Sequence, residues 1–269
     1  LDDRAGIGRA LTHLSQIYLA SGDLVAAISC CQEAASIFED LGDQNALAIA
    51  HNNWGIVLFE RGAHEDGLVH ARLAAAGFEA VENRPGLAKA LGSQAEAYRH
   101  LERWNEAIAR YHQAIAIDEE TGHEVHAART RMNLGILLHE QGLHEEALAL
   151  HVEVEPLFRH LGDRPHLARI YNNMGIFLAA LGRPDEFQAA FDSAVALHLE
   201  AEDRPRAANA LTNCAECLMD QGRLSEASNY LNRARVLLDA LRSPPDYLLQ
   251  EWRQQSRRLE EILTGQPAA

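Results

Sequence analysis

The chain has 269 residues, of which 47% are hydrophobic, and its formal net charge is −15. This acidity argues against a nucleic-acid or anionic-membrane surface, both of which need clustered lysine and arginine, and favours a solvated acidic exterior. No apolar run approaches the ~18 residues of a membrane helix and no charged-then-apolar leader opens the sequence, so we expect a cytoplasmic protein.

A period of 40 residues organises the sequence, and it is held for six copies without a gap. Each copy contains two segments with helical apolar spacing, separated by a short polar break. Self-similarity of this length is typical of a stacked array of repeats. One column of the period holds only small residues: Ser15, Gly55, Ala95, Gly135, Gly175 and Ala215. Small side chains let two helix backbones approach to the short end of the usual ~8–10 Å separation.

Six helix pairs are therefore predicted in chain order, within an array that covers residues 1–243. Their bounds are about 4–41, 42–81, 82–121, 122–161, 162–201 and 202–241. A glycine follows the first segment of five repeats and suits a left-handed C-cap, whereas Glu102 stands there in the third repeat. Asparagine or aspartate precedes most pairs, as expected of N-caps: Asp3, Asp43, Asn83, Asp163 and Asp203.

The two ends of the chain differ from the repeats. Ser243-Pro244-Pro245 ends the array, and apolar spacing predicts a capping helix over 244–263, followed by a disordered tail over 264–269. Leu1-Asp2-Asp3-Arg4 matches Leu161 to Arg164, which is the end of a repeat. We therefore expect another repeat or an effector domain to precede Leu1 in the natural chain.

The columns resemble the tetratricopeptide repeat, which has a small residue at the eighth place, an aromatic residue or leucine at the eleventh, and alanine at the twentieth and twenty-seventh. The resemblance covers roughly residues 8–242. Because the period exceeds the usual ~34 residues, the chain looks like the longer repeats of kinesin light chain, Rap-type peptide sensors and MalT-type regulators. HEAT repeats share the period but lack these columns. The resemblance implies an all-α, right-handed solenoid superhelix of six helix pairs plus a C-terminal capping helix.

In tetratricopeptide arrays the first helix of each pair lines a concave groove, and the resemblance implies the same arrangement here. Places are counted so that the small column with Ser15 and Gly55 is the eighth. The second, sixth, ninth and thirteenth places then share that helix face. Four sixth places hold asparagine, a poor helix former whose carboxamide can both donate to and accept from a peptide main chain. The candidate peptide-binding residues are Arg9, Asn53, Lys89, Arg129, Asn133, Ile136, Arg169, Asn173, Ile176 and Asn213. Alternatively, the asparagines bond the neighbouring repeat and only fix the superhelix.

Other chemistry has little support in the sequence. Cys214 and Cys217 have a C-x-x-C spacing, but no second pair or nearby histidine accompanies them, so buried reduced thiols are the better interpretation. His123 and His126 fall one residue short of a zinc-binding H-E-x-x-H and lie in a linker. No phosphate loop or nucleophile elbow occurs. We expect no enzyme activity, no metal and no cofactor.

These features predict a module that binds an extended peptide or a partner protein, as the sensor or interaction domain of a larger bacterial regulatory protein. Two alternatives remain. A static scaffold would hold its partners on its outer surfaces and keep its shape in small-angle scattering when a partner is added. A small-molecule effector domain of a transcription regulator would respond to a dialysable metabolite.

Overall fold

The computed structural model describes residues 3–265, in which the backbone forms thirteen α-helices and no strand. The helices are α1 (Arg4–Ser21), α2 (Leu24–Leu41), α3 (Gln44–Glu60), α4 (His64–Ala80), α5 (Arg84–His100), α6 (Trp104–Glu120), α7 (Glu124–Glu140), α8 (His144–Leu161), α9 (Arg164–Ala180), α10 (Pro184–Glu200), α11 (Arg204–Asp220), α12 (Leu224–Asp239) and α13 (Asp246–Thr264). The predicted all-α class, with six helix pairs and a capping helix, is confirmed. None of these helices is long and apolar enough to cross a lipid bilayer.

The helix ends follow the predicted capping residues. Asp3 accepts a hydrogen bond from the backbone nitrogen of Gly6, and the four other predicted N-caps do the same three residues along the chain. Gly22, with φ of 82°, ends α1 in the left-handed conformation. Glu102 adopts φ of 56° at the equivalent position, so a side chain there occupies backbone space that favours glycine.

Small residues set the spacing within helix pairs. A Cβ atom on Gly55 of α3 would lie 3.0 Å from the carbonyl oxygen of Gly67 on α4. Further along the same pair, a Cβ on Gly77 would lie 2.9 Å from the Cβ of Ala48. These distances leave no room for a larger residue, which is the packing role predicted for the small columns.

The helices form two compact units, which divide the chain between Leu137 and Leu138, inside α7. In unit 1, which ends at Leu137, Phe38 and Phe78 pack in separate clusters among buried alanines. Unit 2 has a larger core, in which the buried rings of Phe177, Phe187 and Phe191 are joined by aliphatic side chains as far as α13.

The capping helix docks on unit 2 through Leu248, which is buried, and through Trp252, whose Nε1 donates to the carbonyl oxygen of Leu231 at 2.9 Å. The sequence predicts a disordered tail from residue 264. Instead, α13 continues to Thr264 and Gly265 forms its left-handed C-cap, while residues 266–269 lie outside the described part of the chain. Leu1 and Asp2, on which the expectation of a preceding segment rests, also lie outside it.

One face of α1 is uncovered. Ile17 is 62% exposed, whereas the residues that follow it at intervals of 40 (Val57, Ala97, Leu137 and Phe177) are at most 2% exposed. Ile7 and Leu14 lie on the same face of α1 and are 47% and 40% exposed. The face that is buried in these later repeats is therefore open to solvent in the first.

Candidate peptide-binding site

The first helices place the predicted site residues at different depths. At the second place, Arg9, Lys89, Arg129 and Arg169 are exposed. At the sixth place, Asn53 is buried, whereas Asn133, Asn173 and Asn213 are half-buried. Ile136 and Ile176 are half-buried too, and Ile176 packs against the core of unit 2. Charged side chains therefore lie outside the carboxamides on this face.

Several sixth-place side chains bond the preceding repeat. Asn213 donates from Nδ2 to Oδ1 of Asn172 at 3.2 Å, and Ser93 donates from Oγ to Oδ1 of Asn52 at 3.1 Å. In both cases the acceptor is an asparagine at the fifth place of the preceding repeat. Asn173 instead bonds His151 of α8. These contacts give part of the asparagine column the inter-repeat role that was its alternative interpretation.

Asn53 behaves differently from the rest of the column. Its Nδ2 is buried and has no hydrogen-bond partner among the described residues. It lines a small cavity of about 130 Å³ in unit 1, together with Ser15, Gln16 and Ile56. A buried amide without a partner costs roughly 1–3 kcal/mol, so a bound group that accepts from Nδ2 would be favoured here.

Unit 2 contains a polar cavity of about 370 Å³ at the N-terminal ends of two first helices. It is lined by Pro165, His166, Arg169 and Asn172 of α9, His198 of α10, Arg206 and Asn209 of α11, and Tyr247 of α13. Of the predicted site residues, the cavity includes only Arg169. The others that line it are findings of the structure.

The two N-cap aspartates hold basic side chains at this cavity. Asp163 accepts from the backbone nitrogen of His166 through Oδ1 and contacts Nδ1 of the same histidine through Oδ2 at 2.8 Å. Asp203 accepts from the backbone nitrogen of Arg206 through Oδ1 and from its Nη1 through Oδ2 at 3.0 Å. The Nε and Nη2 groups of Arg206 have no partner within residues 3–265, so they are available to an anion.

His198 is the least expected member of the cavity. The residue is 7% exposed, and its ring has no hydrogen-bond partner in the described part of the chain. Burial lowers the pKa of His198, an effect that Asp203 opposes and Arg206 reinforces. The neutral ring therefore offers one donor and one acceptor to a bound group.

Asn213 supports the cavity from behind. Its Nδ2 donates to Asn172 and, at 3.5 Å, to Oδ1 of Asn209, whose own Nδ2 donates to Glu251 at 3.2 Å. Burial raises the pKa of the Glu251 carboxyl, although the bond from Asn209 acts in the opposite direction. Asn172 keeps its amide nitrogen without a partner among the described residues, so it can donate into the cavity.

Two sequence signals could have located this cavity. The doubled asparagines Asn172-Asn173 stand at the fifth and sixth places of the fifth repeat, and Asn172 lines the cavity. The segments Asp163-Arg-Pro-His166 and Asp203-Arg-Pro-Arg206 repeat a basic residue three positions after the N-cap. His198 and Tyr247 carry no comparable signal, because only packing brings them to the site.

The cysteine and histidine motifs make other contacts in the described residues. No group of three histidine, cysteine, aspartate or glutamate residues there could hold a metal ion. His123 contacts Thr121, whereas His126 contacts the buried Asp118. Cys214 is fully buried, and burial raises the pKa of Cys217 to about 12, as expected of structural thiols.

Models of the tetratricopeptide repeat match residues 8–41, 46–120, 86–160 and 166–238. The chain belongs to the tetratricopeptide-repeat family. Over 136 residues, 51% of its length, this tetratricopeptide-repeat chain is 30% identical to the "Regulatory protein AfsR" of Streptomyces coelicolor. The match spans only 14% of that relative.

Solved structures share the tetratricopeptide-repeat fold. The apo form of the quorum sensor NprR from B. thuringiensis aligns with a TM-score of 0.69 and 14% identity, over 96% of this chain and 71% of that one. A Rap protein complexed with Competence and Sporulation Factor aligns with 0.68 and 14% identity, over 96% and 75%. Kinesin light chain TPR-like repeats from Podosopora anserina give 0.60 and 14%, over 75% and 99%. The predicted resemblance to Rap-type and kinesin light chain repeats is confirmed at the level of the fold.

Proposed function

We propose that this chain is a non-catalytic interaction module that binds an acidic peptide segment of a partner, with the cavity of unit 2 receiving a carboxylate. The observation that carries the proposal is His198, a buried ring without a partner that lines a cavity beside Arg169 and Arg206. Guanidinium groups bind carboxylates with charge-assisted hydrogen bonds. Asn172 adds a carboxamide donor suited to a peptide carbonyl.

The free energy available from this one cavity is too small to bind a flexible peptide. Hydrogen bonds to charged groups contribute ~1.5–3 kcal/mol each, and neutral ones ~0.5–1.5 kcal/mol. Ordering a flexible peptide costs ~1–2 kcal/mol per residue. The first-helix faces therefore add contacts in each unit. The proposal assigns these to Arg9, Asn53, Lys89, Arg129, Asn133 and Ile136 in unit 1, and to Asn173, Ile176 and Asn213 in unit 2, where Asn213 acts by positioning Asn172.

The proposal also concerns the setting of the module. We place it in the cytoplasm as the sensor part of a larger bacterial regulatory protein, fused to an effector domain that precedes Leu1. Support comes from the likeness to a Streptomyces regulatory protein and from the fold shared with a quorum sensor and a Rap protein in complex with a factor. The complete coding sequence of the protein tests this setting. A full-length protein without an effector domain would contradict it.

The test of the binding function begins with a selection of displayed random decapeptides on the chain. We expect the recovered peptides to share an acidic residue. Arg206→Gln should weaken their binding at least tenfold, about 1.4 kcal/mol or more, because the guanidinium has free donors in the cavity. Arg204→Gln is the matched control, since Arg204 is exposed and does not line the cavity, and it should change affinity less than about twofold.

A double-mutant cycle then identifies the contact. Replacing the shared acidic residue of the peptide by its amide should cost affinity in the wild-type chain and little further affinity in Arg206→Gln. Recovered peptides without a common acidic residue, or equal binding by the Arg206 and Arg204 variants, would exclude the cavity as the carboxylate site.

A further inference from the structure

A second cavity, of about 780 Å³, lies in unit 1 between α4 and α6. Its floor is the side of α5 that carries Leu87, Leu91, Gln94 and Tyr98. These residues lie about 200° around the helix from Lys89 and its face, because two residues separate the rows at about 100° each. The cavity is therefore distinct from the face assigned above to peptide binding.

The cavity exists because smaller side chains stand where other repeats have large ones, at Gln94 and at the pair Leu91 and Ala75. Forty residues before Gln94, Trp54 fills the equivalent position and stacks on His70 with ring centroids 4.0 Å apart. In unit 2, the places equivalent to Leu91 and Ala75 are held by Tyr171 and Glu155, whose side chains meet across two helices at 2.6 Å. The third repeat has neither the stacked ring nor the bridging pair at these places, and α4 contributes the small side chains of Ala75 and Ala76 beside Arg72 and Glu79.

Two polar side chains in the floor have hydrogen-bonding capacity that the described residues do not use. Tyr98 is 3% exposed, and its hydroxyl accepts from Nη2 of Arg72 at 2.8 Å but has no acceptor for its own proton within residues 3–265. Gln94 is 4% exposed, and it donates from Nε2 to the carbonyl oxygen of Ala71, while its Oε1 receives no bond from the described residues. Both side chains line the cavity, so the unused hydroxyl donor of Tyr98 and the unused Oε1 acceptor of Gln94 are available to a ligand.

Positive charge at the cavity is not neutralised by the protein. Arg72 contacts only Tyr98, and Arg110 donates from Nη1 to Oε1 of Gln113 at 2.7 Å; in the described chain neither meets a carboxylate. Glu79 also lines the cavity, but no contact joins it to either arginine. Two arginines and one glutamate line the cavity, so its local charge is positive in a chain of net charge −15, which favours an anionic ligand.

We propose that this cavity binds a small amphiphilic carboxylate. The apolar body lies between Ala76, Leu91 and Ile117, and the carboxylate accepts hydrogen bonds from Arg72 and Arg110 and from the hydroxyl of Tyr98. A hydroxyl or amide N–H group elsewhere on the ligand would donate a hydrogen bond to Oε1 of Gln94. The site is independent of the peptide-binding function and adds a class of ligand to it.

The first test uses octanoate as the probe, with octan-1-ol and octyltrimethylammonium as comparators of the same chain length. Methyl resonances of Leu87, Leu91 and Ile117 report binding by NMR. Octanoate should shift them saturably with a Kd on the order of millimolar, the range expected for a ligand of this size. Octanol should bind at least about fivefold more weakly, because it lacks the charge that the arginines recognise, and the cation should leave the resonances unchanged.

Variants then separate the cavity from non-specific uptake. Ala76→Leu fills the space from an exposed backbone position and should abolish the saturable shifts, while Arg110→Gln should weaken octanoate at least about fivefold. Arg61→Gln, an exposed arginine outside the cavity, is the control and should bind as wild type. Far-ultraviolet circular dichroism checks that each variant remains helical.

Three results would overturn the proposal: no saturable shift up to about 10 mM octanoate, equal affinity for octanol and octanoate, or unchanged octanoate binding in both Ala76→Leu and Arg110→Gln. These readouts involve only residues of α4, α5 and α6. Failure of the peptide selection would leave them unaffected, so the two proposals are tested separately.

Discussion

Asn173 of α9 donates a hydrogen bond from Nδ2 to Nε2 of His151 on α8 at 3.2 Å, while Nδ1 of the same ring donates to the carbonyl oxygen of Ala147 at 3.1 Å. His151 is fully buried with its ring edge-on to Phe177. A single neutral tautomer therefore satisfies both ring nitrogens. Burial lowers the pKa of His151 to about 4, although the Ala147 carbonyl acts in the opposite direction, and Arg169 adds repulsion.

This arrangement predicts acid sensitivity. The folded pKa lies below the ~6.5 of an unfolded histidine, so the neutral ring stabilises the fold above about pH 6.5, and that contribution is lost as the pH falls toward 4. Between about pH 7 and about pH 5, His151 should account for about 2 kcal/mol of lost stability. Urea unfolding of His151→Leu at the two pH values should show a correspondingly smaller loss.

The matched control is His160→Leu, an exposed histidine on the same helix, which should keep the wild-type pH dependence. His70, with a pKa lowered to about 4, leaves some acid sensitivity in every variant because it is half-buried in unit 1. An identical loss of stability in His151→Leu and wild type would contradict the assignment.

A pair of glycines tests the close approach of α3 and α4. Gly77→Ala should lower the free energy of unfolding by about 1–3 kcal/mol, because its Cβ would lie 2.9 Å from the Cβ of Ala48, which is fixed to the backbone. Gly92→Ala meets nothing within 4 Å and should raise stability by up to about 1 kcal/mol through helix propensity. Chemical denaturation measures both, and equal effects would refute the tight spacing.

Glu102, which follows α5 in the left-handed conformation, can be tested by exchanging glutamate and glycine between it and Gly142. Glu102→Gly should stabilise the chain by about 1 kcal/mol, since glycine adopts φ of 56° without the cost that a side chain incurs. Gly142→Glu, at φ of 80° in the equivalent break of the next repeat, should destabilise it by a similar amount. Thermal unfolding midpoints should move in opposite directions; a common direction would mean that side-chain contacts outweigh backbone conformation.

The thiols of the C-x-x-C pair should be unreactive. Burial raises the pKa values of Cys214 and Cys217, the latter to about 12, so very little thiolate forms near neutral pH. Iodoacetamide at about pH 8 should leave both unmodified in the folded chain and modify them in urea, as measured by mass spectrometry. Ser225→Cys, on the exposed side of α12, should react in the folded chain. Comparable modification of Cys217 and the new thiol would contradict a structural role.

The helix pairs could be predicted from the sequence because their signals are local and repeated. Asp43 caps α3 through its own side chain, and Gly22 ends α1 through its own backbone freedom. A column of small residues at intervals of 40 reports the helix spacing directly, as Gly55 does against Gly67. None of these inferences requires knowing which distant residues meet.

The candidate site could be predicted only in part, because it depends on contacts between repeats. The sequence predicts Asn213 as a ligand-binding residue, and in the structure its amide donates to Asn172, 41 residues earlier, which lines the cavity. His198 belongs to a second helix, outside the rows of the first helices, and reaches the cavity only through the packing of α10 on α11. Contacts of this kind depend on how the helices of neighbouring repeats pack against each other, and the sequence period alone does not determine that packing.

The uncovered face of α1 has a consequence for the local stability of the first helix pair. Each repeat of a solenoid derives much of its stability from its neighbours, and within residues 3–265 nothing covers Ile17 as later repeats cover Val57 and Phe177. Backbone amides of α1 and α2 should therefore exchange with deuterated solvent before those of α11 and α12. Local opening of this first pair should therefore cost less free energy than opening of α11 and α12, which pack against α10 and α13.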